Sequence, residues 1–235
     1  MCKGCFGTGA TRRELVRAAA LGIVAAAPLS RMAQAQPTAA ANTPDAALAL
    51  LLEGNARCVA NKPRERDYSA GRAARVQGQA PFAAILGCAD SRVAPELAFD
   101  QRPGDLFVVR VAGNFVTPDG LASLEYGASV LGTKAIMVLG HSSCGAVNAT
   151  VGALQKGNTL PGHIADLVRA MKPAIEPVLK QPGDDLPQRA VIANVRANVR
   201  RLQEAKPILA EMVAAGKLRV VGAVYDLATG KVDLV

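Results

Sequence analysis

The chain predicts an α/β fold in which a central, mostly parallel sheet is flanked by helices and finished by an antiparallel edge strand. Three observations carry that expectation. Short unbroken apolar runs, Phe82 to Leu86 and Ala135 to Leu139, each lead into a glycine, the pattern of strands buried on both faces. Longer segments with helical spacing separate such runs, and this alternation implies parallel pairing. Near the end, Thr229-Gly230 turns the chain into a last short run, Val232 to Val235, suited to a sheet edge.

Taken in order, the chain opens on a segment that concerns location. Thr11-Arg12-Arg13-Glu14-Leu15-Val16 reads as a twin-arginine motif, followed by an apolar stretch from Ala18 to Leu29 and a small-residue cleavage signal, Ala33-Gln34-Ala35. Residues 1–35 are therefore expected to be an export signal, and the protein is expected in the periplasm or otherwise exported after its removal. The apolar stretch is too short to span a bilayer stably, so no membrane span is expected. Cleavage would also remove Cys2 and Cys5, whose C-x-x-C spacing otherwise reads as a redox or zinc pair. Residues 36–42, rich in Ala, Gln, Pro and Thr, read as a linker, and 43–235 as one catalytic domain.

Within that domain Thr43 caps and Pro44 opens a helix running to about Asn61, since a proline at the first helical position gives up an N–H that has no partner there. Strands are expected at about 82–87, 105–111, 134–140 and 218–225, with helices near 120–131, 162–180 and 186–215. No internal repeat interrupts the alternation.

The net charge of +8 owes half its size to the signal: residues 36–235 keep 22 Lys and Arg against 18 Asp and Glu, a net +4. That mild excess has no stripe and no aromatic interleaving, so nucleic acid is not an expected partner.

Chemistry concentrates in Cys88-Ala89-Asp90-Ser91-Arg92 and His141-Ser142-Ser143-Cys144-Gly145, each placed just after an apolar strand. The ends of parallel strands are where open α/β sheets hold ligands. Two thiolates, one imidazole and one carboxylate form a donor set that suits zinc. Asp90 lies two residues from Cys88 and so shares its face, while Arg92, two further on, competes for the carboxylate through a bidentate grip. An open and a closed arrangement are both encoded. Two other readings stay available from the residues themselves: a closed zinc knot that only staples the fold, and a Cys88–Cys144 disulfide, which an exported protein could form. Cys58, on the first helix, reads as a small packing residue, and His163 as solvent-facing.

These segments resemble the β class of carbonic anhydrases, whose signatures are C-x-D-x-R and H-x-x-C. The resemblance runs from about Leu50 to the strand around Tyr225. It implies Cys88, His141 and Cys144 as zinc ligands, with Asp90 either a fourth ligand or the partner of Arg92. In the open arrangement Asp90, held ionised by Arg92, would accept a hydrogen bond from the attacking water and orient its lone pair. Two thiolates leave zinc formally neutral, which weakens it as a Lewis acid and should favour activity at neutral to alkaline pH.

The same resemblance extends the pocket to Gln79, whose amide would reach substrate oxygen, to an aromatic wall of Phe107 and Tyr126, and to Ala112, where the family often has valine. With three tyrosines and five phenylalanines in the whole chain, an aromatic at such a position has weight without being specific. Some family members carry a second bicarbonate pocket that needs a tryptophan; here Ile85 stands at that position beside Arg110 and Tyr225, and the chain has no tryptophan. The implied substrate is carbon dioxide with bicarbonate, and the implied assembly a homodimer or a multiple of dimers. The apolar run Ala47 to Leu52 exceeds what one helix face needs, which accords with that assembly. Carbonyl sulfide or carbon disulfide is the alternative substrate class, and a non-catalytic exported zinc-binding protein the alternative role.

Overall fold

The computed structural model describes residues 41–235. The expected export signal and most of the expected linker lie outside the described residues.

Five strands form one sheet: β1 (Ala83–Gly87), β2 (Leu106–Arg110), β3 (Ala135–His141), β4 (Arg219–Tyr225) and β5 (Val232–Leu234). Their spatial order is β2-β1-β3-β4-β5. The first four are mutually parallel and β5 pairs antiparallel with β4. The chain leaves β1 to form β2 on one side and returns to place β3 on the other. That reversal opens a crevice at the carboxyl ends of β1 and β3, where such sheets bind ligands.

The apolar runs form strands because both faces are covered, and every residue of β1 and of β3 is buried. Ala84 and Leu86 of β1 face one core; Ala83 and Ile85 face the other. The second core is covered by α1 (Pro44–Val59) and the single turn α3 (Pro95–Ala98), through Ala47, Leu48, Leu51 and Ala98. Thr43 caps α1 as its sequence requires, its Oγ1 accepting from the Ala46 N–H at 3.2 Å. Leu51 is fully buried, and cutting it back to alanine should cost about 2–5 kcal/mol. Leu50 and Leu52 pack against the same core only in part, so the apolar run is mostly used within the chain.

The first core is covered by α4 (Pro118–Ser129), α5 (Gly145–Lys156), α6 (Ile164–Leu179), α7 (Leu186–Gln203) and α8 (Ile208–Ala214); α2 (Arg72–Gln77) buries no residue. Two expectations need correction. The segment 186–215 is two helices, broken before Pro207, because proline drives its predecessor out of the helical region and lacks the N–H to continue one. Helix α5 has no counterpart in the sequence expectation: its mixture of Gly, Ala, Thr and Val has weak propensity, and burial of Val147, Thr150, Val151 and Ala153 makes it a helix. Gly140 permits the close seat of α7, since a Cβ there would stand 2.7 Å from Val195 Cγ2 and 3.1 Å from Val191 Cγ1. Among the described residues no helix is long and apolar enough to cross a membrane.

Candidate metal centre

Gly87 ends β1 in register with Leu139 of β3, so Cys88 emerges beside the last turn of chain that carries His141. Both residues are buried, as is Cys144. Cys144 caps α5, and its approach is set by Ser143 in a left-handed conformation (φ 55°) and by the Ser142 N–H, which donates to the Tyr225 carbonyl at 2.9 Å. The ligating atoms of Cys88, His141 and Cys144 all lie within 4.8 Å of one another.

The two thiols are free, with Sγ atoms 4.0 Å apart. That is far beyond a disulfide bond of about 2.05 Å, and near the separation of about 3.8 Å that two sulfurs take on one tetrahedral zinc. His141 is wholly buried. Its Nδ1 lies 2.9 Å from the Ser142 carbonyl and donates to it, which fixes the other nitrogen as the lone-pair bearer. That Nε2 has no hydrogen-bond partner despite its burial. An orphaned imidazole lone pair beside two sulfurs fits a borderline-soft divalent cation, and zinc most directly.

Asp90 stands at the rim. Its Oδ1 accepts from the Arg92 backbone N–H at 3.0 Å and from Nε at 2.9 Å, and its Oδ2 from Nη2 at 2.7 Å. The same Oδ2 is 3.7 Å from His141 Nε2. Arg92 thus holds the carboxylate at the edge of the cluster by a bidentate grip. Arg110, at the end of β2, gathers the segment from below: its guanidinium donates to the carbonyls of Cys88, Asp90 and Val93 at 2.7–2.8 Å. Its part here is to shape the backbone. Nothing local in the sequence marks that role, because its three acceptors are main-chain atoms on another strand's exit.

Electrostatics follow from these contacts. The paired Cys144 sulfur, with His141 and the Gly113 N–H, pulls the Cys88 thiol down against the effect of burial. The Cys144 thiol is pushed up by its pairing with Cys88 and by burial. Burial resists charging His141, yet the nearby Cys88 sulfur, the Ser142 carbonyl and the Asp90 carboxylate together outweigh burial and raise it. Arg92 holds the Asp90 carboxyl well below the usual carboxylate range.

The other expected pocket residues are more scattered. Phe107 is half-buried on β2 and Tyr126 is half-exposed on α4, with ring centroids 6.4 Å apart and planes tilted by 43°. Ala112 is half-buried in the loop after β2. Gln79 is exposed on the segment between α2 and β1 and makes no side-chain hydrogen bond to the described residues. Ile85 faces the second core from within β1. Cys58 donates to the Leu97 carbonyl, and His163 is solvent-exposed against Asp166.

Fold and site define a class: a doubly covered α/β sheet with a Cys-His-Cys cluster, compatible with a metal ion, at its switch point. The carbonic anhydrase family model matches residues 83–232. The carbonic anhydrase of Mycolicibacterium smegmatis is 41% identical over 194 residues, which cover 82% of this chain and 94% of that one. Among solved structures, a Coccomyxa β-carbonic anhydrase in complex with acetazolamide matches with a TM-score of 0.63 at 32% identity, over 80% of this chain and 86% of that one. One of two tetrameric β-carbonic anhydrases from Sordaria macrospora matches with a TM-score of 0.59 at 26% identity, over 68% of this chain and 83% of that one. The chain belongs to the β-class carbonic anhydrase family.

Proposed function

We propose that this protein catalyses the reversible hydration of carbon dioxide to bicarbonate and a proton, with zinc held by Cys88, His141 and Cys144. The observation that carries the reading is the buried, unpartnered Nε2 of His141 facing two thiols, with an arginine-held carboxylate at the rim. When bound there, zinc supplies the Lewis acidity that makes water nucleophilic at ordinary pH. Cys88 and Cys144 supply two negative charges and His141 a neutral donor whose tautomer Ser142 fixes. Asp90, ionised through its pair with Arg92, would accept a hydrogen bond at Oδ2 from the attacking water and turn its lone pair toward carbon. The carbon–oxygen bond then forms, one carbon–oxygen double bond opens, and the released proton passes to buffer.

The test is a stopped-flow assay of carbon dioxide hydration across pH with the zinc content measured in parallel. Turnover that rises toward alkaline pH and scales with zinc supports the reading. Hydrolysis of carbonyl sulfide well above carbon dioxide hydration would transfer the site to the sulfur substrates. Absence of both activities in the zinc-loaded chain would leave only a binding role.

Export by residues 1–35 and a homodimer or multiple of dimers complete the proposal. The first rests on the twin-arginine pattern and is tested by the N-terminal sequence of the secreted chain. The second rests on the partly covered Leu50 and Leu52 and on family membership, and sedimentation velocity tests it.

A further inference from the structure

We propose that Asn194 and Asn198, on the buried face of α7, are positioning residues for Cys88, acting through the loop that joins β2 to α4. The inference rests on the reading of Cys88 as a metal ligand. The two asparagines are only 1% and 6% exposed and lie among Val191, Val195 and Leu202. Burying an amide is unfavourable unless it is bonded, so the partners of these side chains identify what they serve. Spaced four apart, they share one helix face.

Both serve the same loop. Asn194 Nδ2 donates to the Gly113 carbonyl at 2.8 Å, and Asn198 Oδ1 accepts from the Val116 N–H at 2.8 Å. Asn198 Nδ2 donates to the Asn194 backbone carbonyl at 2.8 Å and to Asn194 Oδ1 at 3.2 Å, and the second bond ties the two side chains together. One turn further on, Arg201 donates to the Val116 carbonyl at 2.9 Å. The loop so held runs through two left-handed residues, Gly113 at φ 85° and Asn114 at φ 40°, types that accept such angles. Its far side is closed by α6, since a Cβ on Gly113 would stand 2.6 Å from Met171 Sδ. The product of this arrangement is the Gly113 N–H aimed at Cys88 Sγ, 3.3 Å away.

An N–H bonded to a thiolate fixes the sulfur lone pairs and draws charge from them, which sets both the orientation and the donor strength of the ligand. Losing either amide leaves the buried Gly113 carbonyl or Val116 N–H unpaired, so these bonds carry stability as well, and the metal readouts below separate that role from the aim at Cys88. Asn194 reaches Cys88 through one residue, Gly113, gripped at its carbonyl and presenting its amide to sulfur, while Asn198 steadies the same loop at Val116.

The test uses the full chain, loaded with zinc or with cobalt(II). Asn194→Leu keeps the branched shape, with bulkier methyl groups, and removes the donor. The zinc dissociation constant, measured by competition with a chromophoric chelator, should rise about tenfold to a hundredfold, the range found when residues orienting metal ligands are removed, carbonic anhydrases of another class included. The sulfur-to-cobalt charge-transfer band should move to longer wavelength, because Cys88 has lost its N–H. Leu202→Ala, an equally buried change on the same helix, should lower the melting temperature and move neither readout. An unchanged dissociation constant and band in Asn194→Leu overturns the proposal. Should that variant not fold, Asn198→Ala and the exposed Arg201→Met loosen the loop at Val116 alone; smaller shifts of the same sign support the proposal, and no shift in either overturns it. A Cys88→Ser variant that binds zinc as tightly as the parent overturns the ligand reading beneath it, and is distinguishable because it leaves the asparagines untouched.

Discussion

Asp90 and Asp100 are each gripped by arginine, yet one pair stands at the rim of the metal centre and the other lies inside the fold. Asp100 is held from three points: Arg57 Nε on α1 at 2.6 Å, Arg66 Nη2 at 3.0 Å, and the Arg64 backbone N–H at 3.3 Å. Its side chain is 5% exposed, and those of Arg57 and Arg66 are 24% and 10%. Asp90 is held by one residue two positions along the chain, with the Arg92 side chain 55% exposed. The difference lies in how many independent elements hold each carboxylate. Asp100 ties α1 and the segment after it to the end of α3, so it cannot leave without loosening all of them. Asp90 is held by a side chain that can swing into solvent, and it stays within reach of the cluster.

The largest effect should come from the rim. Asp90→Ala is expected to lower carbon dioxide hydration by about a hundredfold or more, the usual scale for a positioned acid–base group, while zinc and melting temperature stay near the parent's. A fully active Asp90→Ala enzyme would erase the functional half of the contrast.

Asp100→Ala should do the reverse. Removing one partner of a buried pair leaves uncompensated charge, here two guanidinium groups, one of which already has a buried Nη1 without a partner. The expected loss is about 3–5 kcal/mol in denaturant unfolding, with turnover per folded molecule near that of the parent. A variant as stable as the parent would show that the triple grip is incidental.

Arg92→Ala sharpens the comparison from the arginine side. Freed from its grip, Asp90 should complete the coordination sphere, so activity falls about tenfold while zinc remains, and higher pH restores little. X-ray absorption should then find one more protein oxygen on zinc than in the parent. Water still bound there, with Asp90 turned away, would reduce Arg92 to an anchor.

The contrast extends to pH. Arg92 holds the folded Asp90 below its ordinary value of 3.8, so any stability this carboxylate contributes is present above that value and is lost only as the pH falls further. Its ionisation therefore does not change across the neutral range. Zinc binding does change there, because the Cys144 thiol, pushed up by Cys88 and by burial, must give up its proton to bind metal. Affinity should fall by about tenfold for each proton displaced per pH unit on acidification. Calorimetry in buffers of different ionisation enthalpy counts those protons; a count of zero would place zinc elsewhere.

Local pattern determined much of this molecule. The apolar runs ending in Gly87 and Gly140, the cap at Thr43, and the two separate segments Cys88-x-Asp90-x-Arg92 and His141-x-x-Cys144 are short-range features, and each is written within a few residues of chain. Strand existence, fold class and the cluster beyond the strand ends are legible for that reason. What tertiary structure decided is how distant segments meet. Helix α5 exists because the sheet buries one side of a weakly helical stretch. The 4.0 Å between thiols, the orphaned Nε2, the triple grip on Asp100 and the bonds from Asn194 and Asn198 to Gly113 and Val116 join groups up to 82 residues apart. A buried amide or guanidinium has no sequence signature of its own partner, since the acceptor is so often a main-chain carbonyl that every residue possesses. Packing alone chooses which one.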